Sequence, residues 1–313
     1  MAIYTGSNKH LGGTETVSKK ETFFYGLVQR NVLLTGAGGQ LGQAIESFVK
    51  NRNLPFRFFY ADSAKLDITN RDAVFHFVEE NSIEFIINGA AYTAVDKAEG
   101  EPEIADSINH KGAEHLAQAA AEFGARLIHI STDYVFDGTA EVPYRETDLV
   151  NPVSVYGLSK LRGEQAIEKF AKDWIIIRTA WMFSEFGNNF VKTMVRLMSE
   201  RSELNVVNDQ HGTPTYAVDL AEMILLIMDE PEWKSGIYHF TNSDETTWYD
   251  FALKIRELKG LNDCKVNPVT SAEYVTAARR PVYSVLDSSK IESAFGVVIP
   301  EWEEALERCL RKL

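Results

Sequence analysis

Only two cysteines, Cys264 and Cys309, occur in 313 residues. They make no disulfide framework, so both thiols are read as buried space-fillers in a reduced, cytoplasmic protein. No apolar run reaches the roughly 18 residues that a helical membrane span needs. The start, Met1 to Lys20, is polar and rich in Gly, Thr, Ser and Lys, without the apolar middle of a secretory signal. Positive charge is also in short supply: 32 Lys and Arg stand against 45 Asp and Glu, a net charge of -13. Non-specific nucleic-acid binding is therefore disfavoured, because phosphates need a basic surface. The same charge repels an anionic ligand at long range. Any phosphate must be held by local donors: backbone N–H groups, helix N-termini, or a few Arg and Lys side chains.

What is present is an ordinary globular composition, 45% apolar and 25% charged, with length for a core and a second lobe. Residues 1–30 read as a flexible extension without a clear period. From Asn31 short apolar runs alternate with amphipathic stretches. Strands are expected at 31–35, 57–60, 85–88, 127–130 and 174–178, and helices at 41–50, 70–81, 102–123 and 155–172. Runs apolar on both faces, separated by helices, predict a doubly wound parallel α/β sheet of Rossmann type. The second half is less regular, with helices at 188–201, 216–229, 247–260 and 302–313 and a strand at 236–240. The expected division is a dinucleotide-binding domain over 31–181, to which 207–243 returns, and a smaller substrate lobe from 182–206 and 244–313.

Glycines at 36, 39 and 42 follow the first strand and open the first helix. Glycines let the backbone turn tightly and approach a pyrophosphate, while a helix N-terminus faces its charge. After the second strand Asp62 suits a ribose 2′-hydroxyl and Lys65 a 2′-phosphate, so both NADH and NADPH stay open. Asp67 and Ile68 come next and suit the adenine border. Farther on, Tyr156 and Lys160 are four apart and share one helix face. A carbonyl reductase needs such a pair: the phenol gives a proton to the developing alkoxide, and the ammonium brings the phenol toward neutral pH and holds the cofactor ribose. The fourth strand ends in Ser131-Thr132. Adjacent strand residues face opposite ways, so one hydroxyl points into the ligand crevice and the other is structural.

Taken in order, Thr35-Gly-Ala-Gly-Gly-Gln-Leu-Gly42, Ala90-Ala-Tyr-Thr-Ala-Val-Asp-Lys-Ala-Glu99, Ser131-Thr-Asp-Tyr-Val-Phe-Asp-Gly138, Val155-Tyr-Gly-Leu-Ser-Lys160, Arg178-Thr-Ala-Trp181, Gly187-Asn-Asn-Phe190, Gly212-Thr-Pro-Thr-Tyr216 and Ala278-Arg-Arg-Pro281 resemble the extended short-chain dehydrogenases, and most closely the dTDP-4-dehydrorhamnose reductase family. The similarity covers about residues 31–313. It implies NAD(P)H-dependent reduction of the 4-keto group of dTDP-4-dehydro-L-rhamnose, on a monomer or homodimer. It also implies that Thr132, Tyr156 and Lys160 are catalytic, with Thr132 orienting the carbonyl. Gly36, Gly39, Gln40, Leu41 and Gly42 would hold the pyrophosphate, Asp67 and Ile68 the adenine side, and Ala90, Ala91 and Thr93 the rest of the cofactor. Val95, Tyr134 and Trp181 fall on the sugar side, Trp181 also near the nicotinamide.

The chain departs from that pattern in places. Gly89 stands where Ala is commoner. Met182-Phe183 replaces Val-Tyr and removes a hydroxyl from beside the nicotinamide region. Ala44 stands where relatives that dimerise through a divalent cation have a carboxylate, so no metal is expected. Two alternatives share the fold and the Tyr/Lys pair: a non-catalytic NADP-binding regulatory subunit of the methionine adenosyltransferase type, and an epimerase or dehydratase of nucleotide sugars. Ala-Tyr-Thr-Ala-Val-Asp and Arg-Thr-Ala-Trp fit the reductases better, and Thr132 is followed by Asp-Tyr rather than the Asp-Glu of dehydratases.

Overall fold

The computed structural model describes residues 4–5, 29–50 and 52–313. Most of the expected 1–30 extension lies outside these. Within it Tyr4–Thr5 forms β1. The dinucleotide-type half then runs β2 (Arg30–Thr35), α1 (Gln40–Val49), β3 (Phe56–Ala61), α2 (Arg71–Glu80), β4 (Phe85–Asn88), α3 (Val95–Ala98) and α4 (Pro102–Asp106). A π-helical stretch at Ser107–Gly112 leads into α5 (Ala113–Phe123), and β5 (Arg126–Thr132), α6 (Val155–Phe170) and β6 (Trp174–Thr179) follow. Local signals set the ends. Asn70, Ser154 and Asn189 cap the helices after them through side-chain oxygens. Gly124 closes α5 in the left-handed region at φ 73°.

The second half contains β7 (Met182–Phe183), α7 (Phe190–Glu200), β8 (Glu203–Val207), β9 (His211–Gly212), β10 (Thr215–Tyr216) and α8 (Ala217–Asp229). After these come β11 (Gly236–His239), β12 (Thr246–Thr247), α9 (Trp248–Lys259), β13 (Lys265–Val269), α10 (Ser289–Phe295), β14 (Val297–Val298) and α11 (Trp302–Leu310).

Six parallel strands form the central sheet in the order β11-β6-β5-β4-β2-β3. Alternate residues of one strand face opposite layers. Val32 and Leu34 pack with Ile45 of α1 and Leu220 and Ile224 of α8, whereas Leu33 packs with Val74, Val78, Leu116 and Ile167 of α2, α5 and α6. Both faces are covered, which is why these strands read as continuous apolar runs. Each such buried side chain is worth about 1.5–3 kcal/mol of transfer free energy. Since β2 pairs with β3 on one side and β4 on the other, the strand order reverses there, and a crevice opens beyond their carboxyl ends.

A separate apolar cluster builds the second lobe from α7, α9, α11 and the parallel pair β8–β13, with Met194, Phe251, Ile255, Trp302 and Leu306 at its centre. Residues 289–299, expected in that lobe, instead bring Ile291, Phe295, Val297 and Ile299 onto the sheet's own core. Among the described residues no helix is long and apolar enough to cross a membrane.

Candidate active site

The glycine loop is built for close approach. Gly36 has φ 68°, and a Cβ there would lie 2.5 Å from the Gly89 carbonyl carbon. A Cβ on Gly42 would lie 2.5 Å from the Ala37 oxygen, so the helix is drawn tightly onto the loop. Gly39 differs: it is exposed, has φ -78°, and a Cβ would meet only the Gly36 oxygen at 3.2 Å. It sits at the N-cap of α1 without a side-chain cap, so the first-turn amides keep their donors for a ligand. Leu41 is buried in the core. The Gln40 side chain turns toward the second lobe, donating to the Met182 carbonyl at 3.3 Å and accepting from Ser184 and Asn189 at 2.9 Å each. Its backbone amide remains for an anion.

Next to the loop, Asp62 accepts from the amides of Ala64 and Lys65, and Lys65 donates to the Tyr60 carbonyl at 2.8 Å. Both expected cofactor selectors are engaged with their own backbone. Asp67 likewise accepts from Thr69, while Ile68 is buried where a Cβ on Gly112 would touch it. The 90–93 segment is pinned from below. Asn88 accepts from the Ala90 amide, and buried Asn109 bonds both the amide and the carbonyl of Tyr92. Asn109 also donates to Ser159 of α6 at 2.9 Å. Thr93 is exposed and Ala91 half-buried along this segment.

Helix α6 carries Tyr156 and Lys160, the expected reactive pair. It lies close to its neighbours because a Cβ on Gly157 would be 2.1 Å from the Tyr134 oxygen, and one on Gly163 2.3 Å from the Asn109 oxygen. Ser131 turns toward this helix and donates to Glu164, which binds Arg178 through two oxygens at 2.9 and 2.7 Å. Thr132 is the hydroxyl on the other side: it donates to Asp133 at 3.0 Å and accepts from the Tyr134 amide at 3.2 Å, and its nearness to Tyr156 works against the larger effect of burial on that phenol. Burial, with the nearby Asp133 carboxylate, pushes the Tyr156 phenol up to about 12. The Lys160 amine, expected to bring the phenol toward neutral pH, is not among the groups that shift it in this geometry. Lys160 itself is buried, with its amine lowered to about 8 by desolvation and donating to the Ile130 carbonyl at 2.6 Å. A phenol that stays protonated across the neutral range is suited to act as an acid.

Tyr134 packs edge-on against Tyr156, with centroids 5.7 Å apart, and Val95 begins α3 half-buried. Asp96, next to Val95, accepts from Arg280 at 2.7 Å and from the Ala278 amide at 3.0 Å, tying α3 to the 278–281 segment. Trp181 adopts φ 45°, a strained conformation for a side-chain-bearing residue, and stacks on Trp248 with centroids 3.6 Å apart. A Cβ on Gly212 would strike its indole at 2.5 Å. The tryptophan is therefore fixed at the seam between the lobes. Phe183, expected beside the nicotinamide region, is instead fully buried and stacks on Tyr216 in the second-lobe core. Ala44 is buried in the sheet core.

Sequence reasoning passed over His129, Asn88, Asn109, Asp133 and Trp248. The available signal was a polar residue inside an otherwise apolar run, as His129 is in Leu127-Ile-His-Ile130. A cavity of about 740 Å³ lies elsewhere, beyond β11 and lined by Arg145, Asp148, Glu245 and Asp287, away from the Tyr156–Lys160 face. Among the described residues no three His, Cys, Asp or Glu side chains converge as metal ligands.

Against this geometry stand the relatives. The profile of the family described as RmlD substrate binding domain matches residues 30–313. A dTDP-4-dehydrorhamnose reductase of Aggregatibacter actinomycetemcomitans is 44% identical over 285 residues, 88% of this chain and 97% of that one. The crystal structure of a dTDP-4-dehydrorhamnose reductase from Clostridium acetobutylicum superposes with a TM-score of 0.86 at 44% identity, covering 90% of this chain and 98% of that one. That of a Bacillus anthracis dTDP-4-dehydrorhamnose reductase in complex with NADP gives 0.87 at 39%, covering 91% and 100%.

Proposed function

The chain belongs to the dTDP-4-dehydrorhamnose reductase family, and on that premise we propose that it reduces the 4-keto group of dTDP-4-dehydro-L-rhamnose to dTDP-L-rhamnose with NADPH or NADH. The observation that carries this reading is a convergence at one sheet edge. The bare glycine loop and the uncapped α1 N-terminus flank the crevice at the strand reversal, and Thr132, Tyr156 and Lys160 come to the same edge. The cradle at Gly36 and Gly39 fits a pyrophosphate: the Gly39 amide closes the turn onto the Gly36 carbonyl, the first-turn amides of α1 keep their donors, and no Cβ intrudes. When bound, the dinucleotide supplies the hydride.

The chain's own residues do the rest. Amides at the start of α1 take the pyrophosphate, and Asp67, Ile68, Ala90, Ala91 and Thr93 line the remainder. Thr132 orients the substrate carbonyl. Tyr156, protonated at working pH, gives its phenolic proton to the oxygen as the carbon is reduced. Lys160 holds the ribose and assists that proton's return. Tyr134, Val95 and Trp181 wall the sugar, where an indole face suits the apolar 6-methyl edge. Two buried free thiols suit a reducing, cytoplasmic compartment. The test is to mix the protein with NADPH and dTDP-4-dehydro-L-rhamnose and follow the nicotinamide band. Ketosugar-dependent loss of NADPH with formation of dTDP-L-rhamnose is expected; NADPH left intact by the ketosugar contradicts the reading.

A further inference from the structure

A file of buried polar side chains crosses three neighbouring strands beneath the site. Thr35 of β2 donates to Asn88 Oδ1 of β4 at 2.8 Å, Asn88 Nδ2 faces His129 Nδ1 of β5 at 2.9 Å, and His129 Nε2 faces Lys160 Nζ at 3.4 Å. Thr35, Asn88, His129 and Lys160 are all buried. The proton positions follow from one fixed donor. The Ala90 backbone amide, which can only donate, reaches the same Asn88 Oδ1 at 3.2 Å. That oxygen is therefore the acceptor, and the NH₂ of Asn88 points at His129. His129 Nδ1 must then carry its lone pair, so a neutral imidazole holds its proton on Nε2, the nitrogen that faces Lys160. An N–H aimed at an ammonium is unfavourable, whereas an N–H aimed at a neutral amine makes a hydrogen bond.

We propose that His129, oriented by Asn88, is a positioning residue that disfavours the ammonium of Lys160 and lets this lysine act as a proton carrier rather than a fixed charge. The use of that proton in catalysis rests on the reading of Lys160 given above; the tuning itself does not. The other groups around the amine are accounted for. Glu164, one turn along α6, favours the ammonium although its charge is shared with Arg178 of β6, Tyr156 stands one turn before, and the Ile130 carbonyl accepts from the amine in either state. The file also ends at Thr35, directly before Gly36, and at the amide of Ala90. The loop expected to hold the cofactor and the lysine expected to hold its ribose thus share one hydrogen-bonded support.

The experiment is an NMR titration of Lys160 in the full-length protein carrying ¹³C-lysine, with the signal assigned through Lys160→Arg. His129→Asn keeps an acceptor for the Asn88 amide but removes the N–H toward Lys160. Its Lys160 titration should move up by about one pH unit. His129→Gln, whose amide N–H reaches the place of Nε2, should return it to the wild-type position. Asn88→Asp leaves the imidazole in place but demands the proton on Nδ1, which turns Nε2 into an acceptor and should also move the titration upward. The alkaline limb of turnover should follow these shifts. A shifted titration with an unmoved activity limb supports the tuning and removes Lys160 from the reaction. A Lys160 titration unchanged in folded His129→Asn, or unchanged in Asn88→Asp should the first variant not fold, overturns the proposal.

Discussion

Gly39 and Asp133 show how single residues divide between fold and site. At Gly39 the backbone is extended and nearly open, so a side chain there is tolerated by the fold but projects where a pyrophosphate would lie. Gly39→Val should weaken NADPH binding at least tenfold in calorimetry while moving the unfolding midpoint little. Unchanged affinity would remove the loop from the cofactor site. Asp133 is buried, with one oxygen unpartnered, and desolvation raises it from 3.8 to about 6. The fold favours its neutral form. The stability it contributes is complete below about pH 4 and is lost as pH rises through 6, amounting to at most about 3 kcal/mol. Asp133→Asn should therefore gain stability relative to wild type between pH 5 and pH 7.5, read from thermal melts of the two proteins side by side. A difference that does not vary with pH would show that Asp133 does not titrate in this range.

The elements were legible wherever a period or a cap was strong. The strands of the sheet, the glycine turn and the Ser154-capped helix with its Tyr156–Lys160 face all fall within a residue or two of expectation. Others were hidden for identifiable reasons. Pro268 cannot donate to a ladder and masks β13, and α10 has only seven residues. The π-helical turn inside 102–123 leaves the apolar pattern intact, so it gave no warning, yet it presents Asn109 to both Tyr92 and α6. That contact depends on Gly163. Gly163→Ala drives a methyl into the Asn109 carbonyl and should cost about 1–3 kcal/mol of stability. Turnover should fall too, because the displaced helix carries Tyr156 and small misplacements of reacting groups cost much rate. Wild-type kcat in this variant would argue that α6 can shift without consequence. Glu164→Ala, which strands buried Arg178, should destabilise by about 3–5 kcal/mol in denaturant melts. A loss under 1 kcal/mol would mean that the pair is not needed to hold β6 against α6.

For the whole molecule, the sequence conveyed the sheet and the shared helix face of Tyr156 and Lys160 but not how the halves join. Long-range side-chain bonds carry no local period: Gln40 to Ser184 and Asn189, Asp96 to Arg280, and Trp181 on Trp248 each link segments far apart in the chain. These tie the glycine loop, α3 and the Trp181 turn to the second lobe, and they explain why Val95, Tyr134 and Trp181, expected on the sugar side, follow no single element. In the proposed reaction this crevice reduces a ketone with Tyr156 as the acid. Tyr156→Phe keeps the ring against Tyr134 and removes only the proton. With dTDP-4-dehydro-L-rhamnose and NADPH, kcat should drop by about 10²- to 10⁴-fold while the NADPH dissociation constant stays within a few-fold of wild type. Turnover within threefold of wild type would contradict the claim.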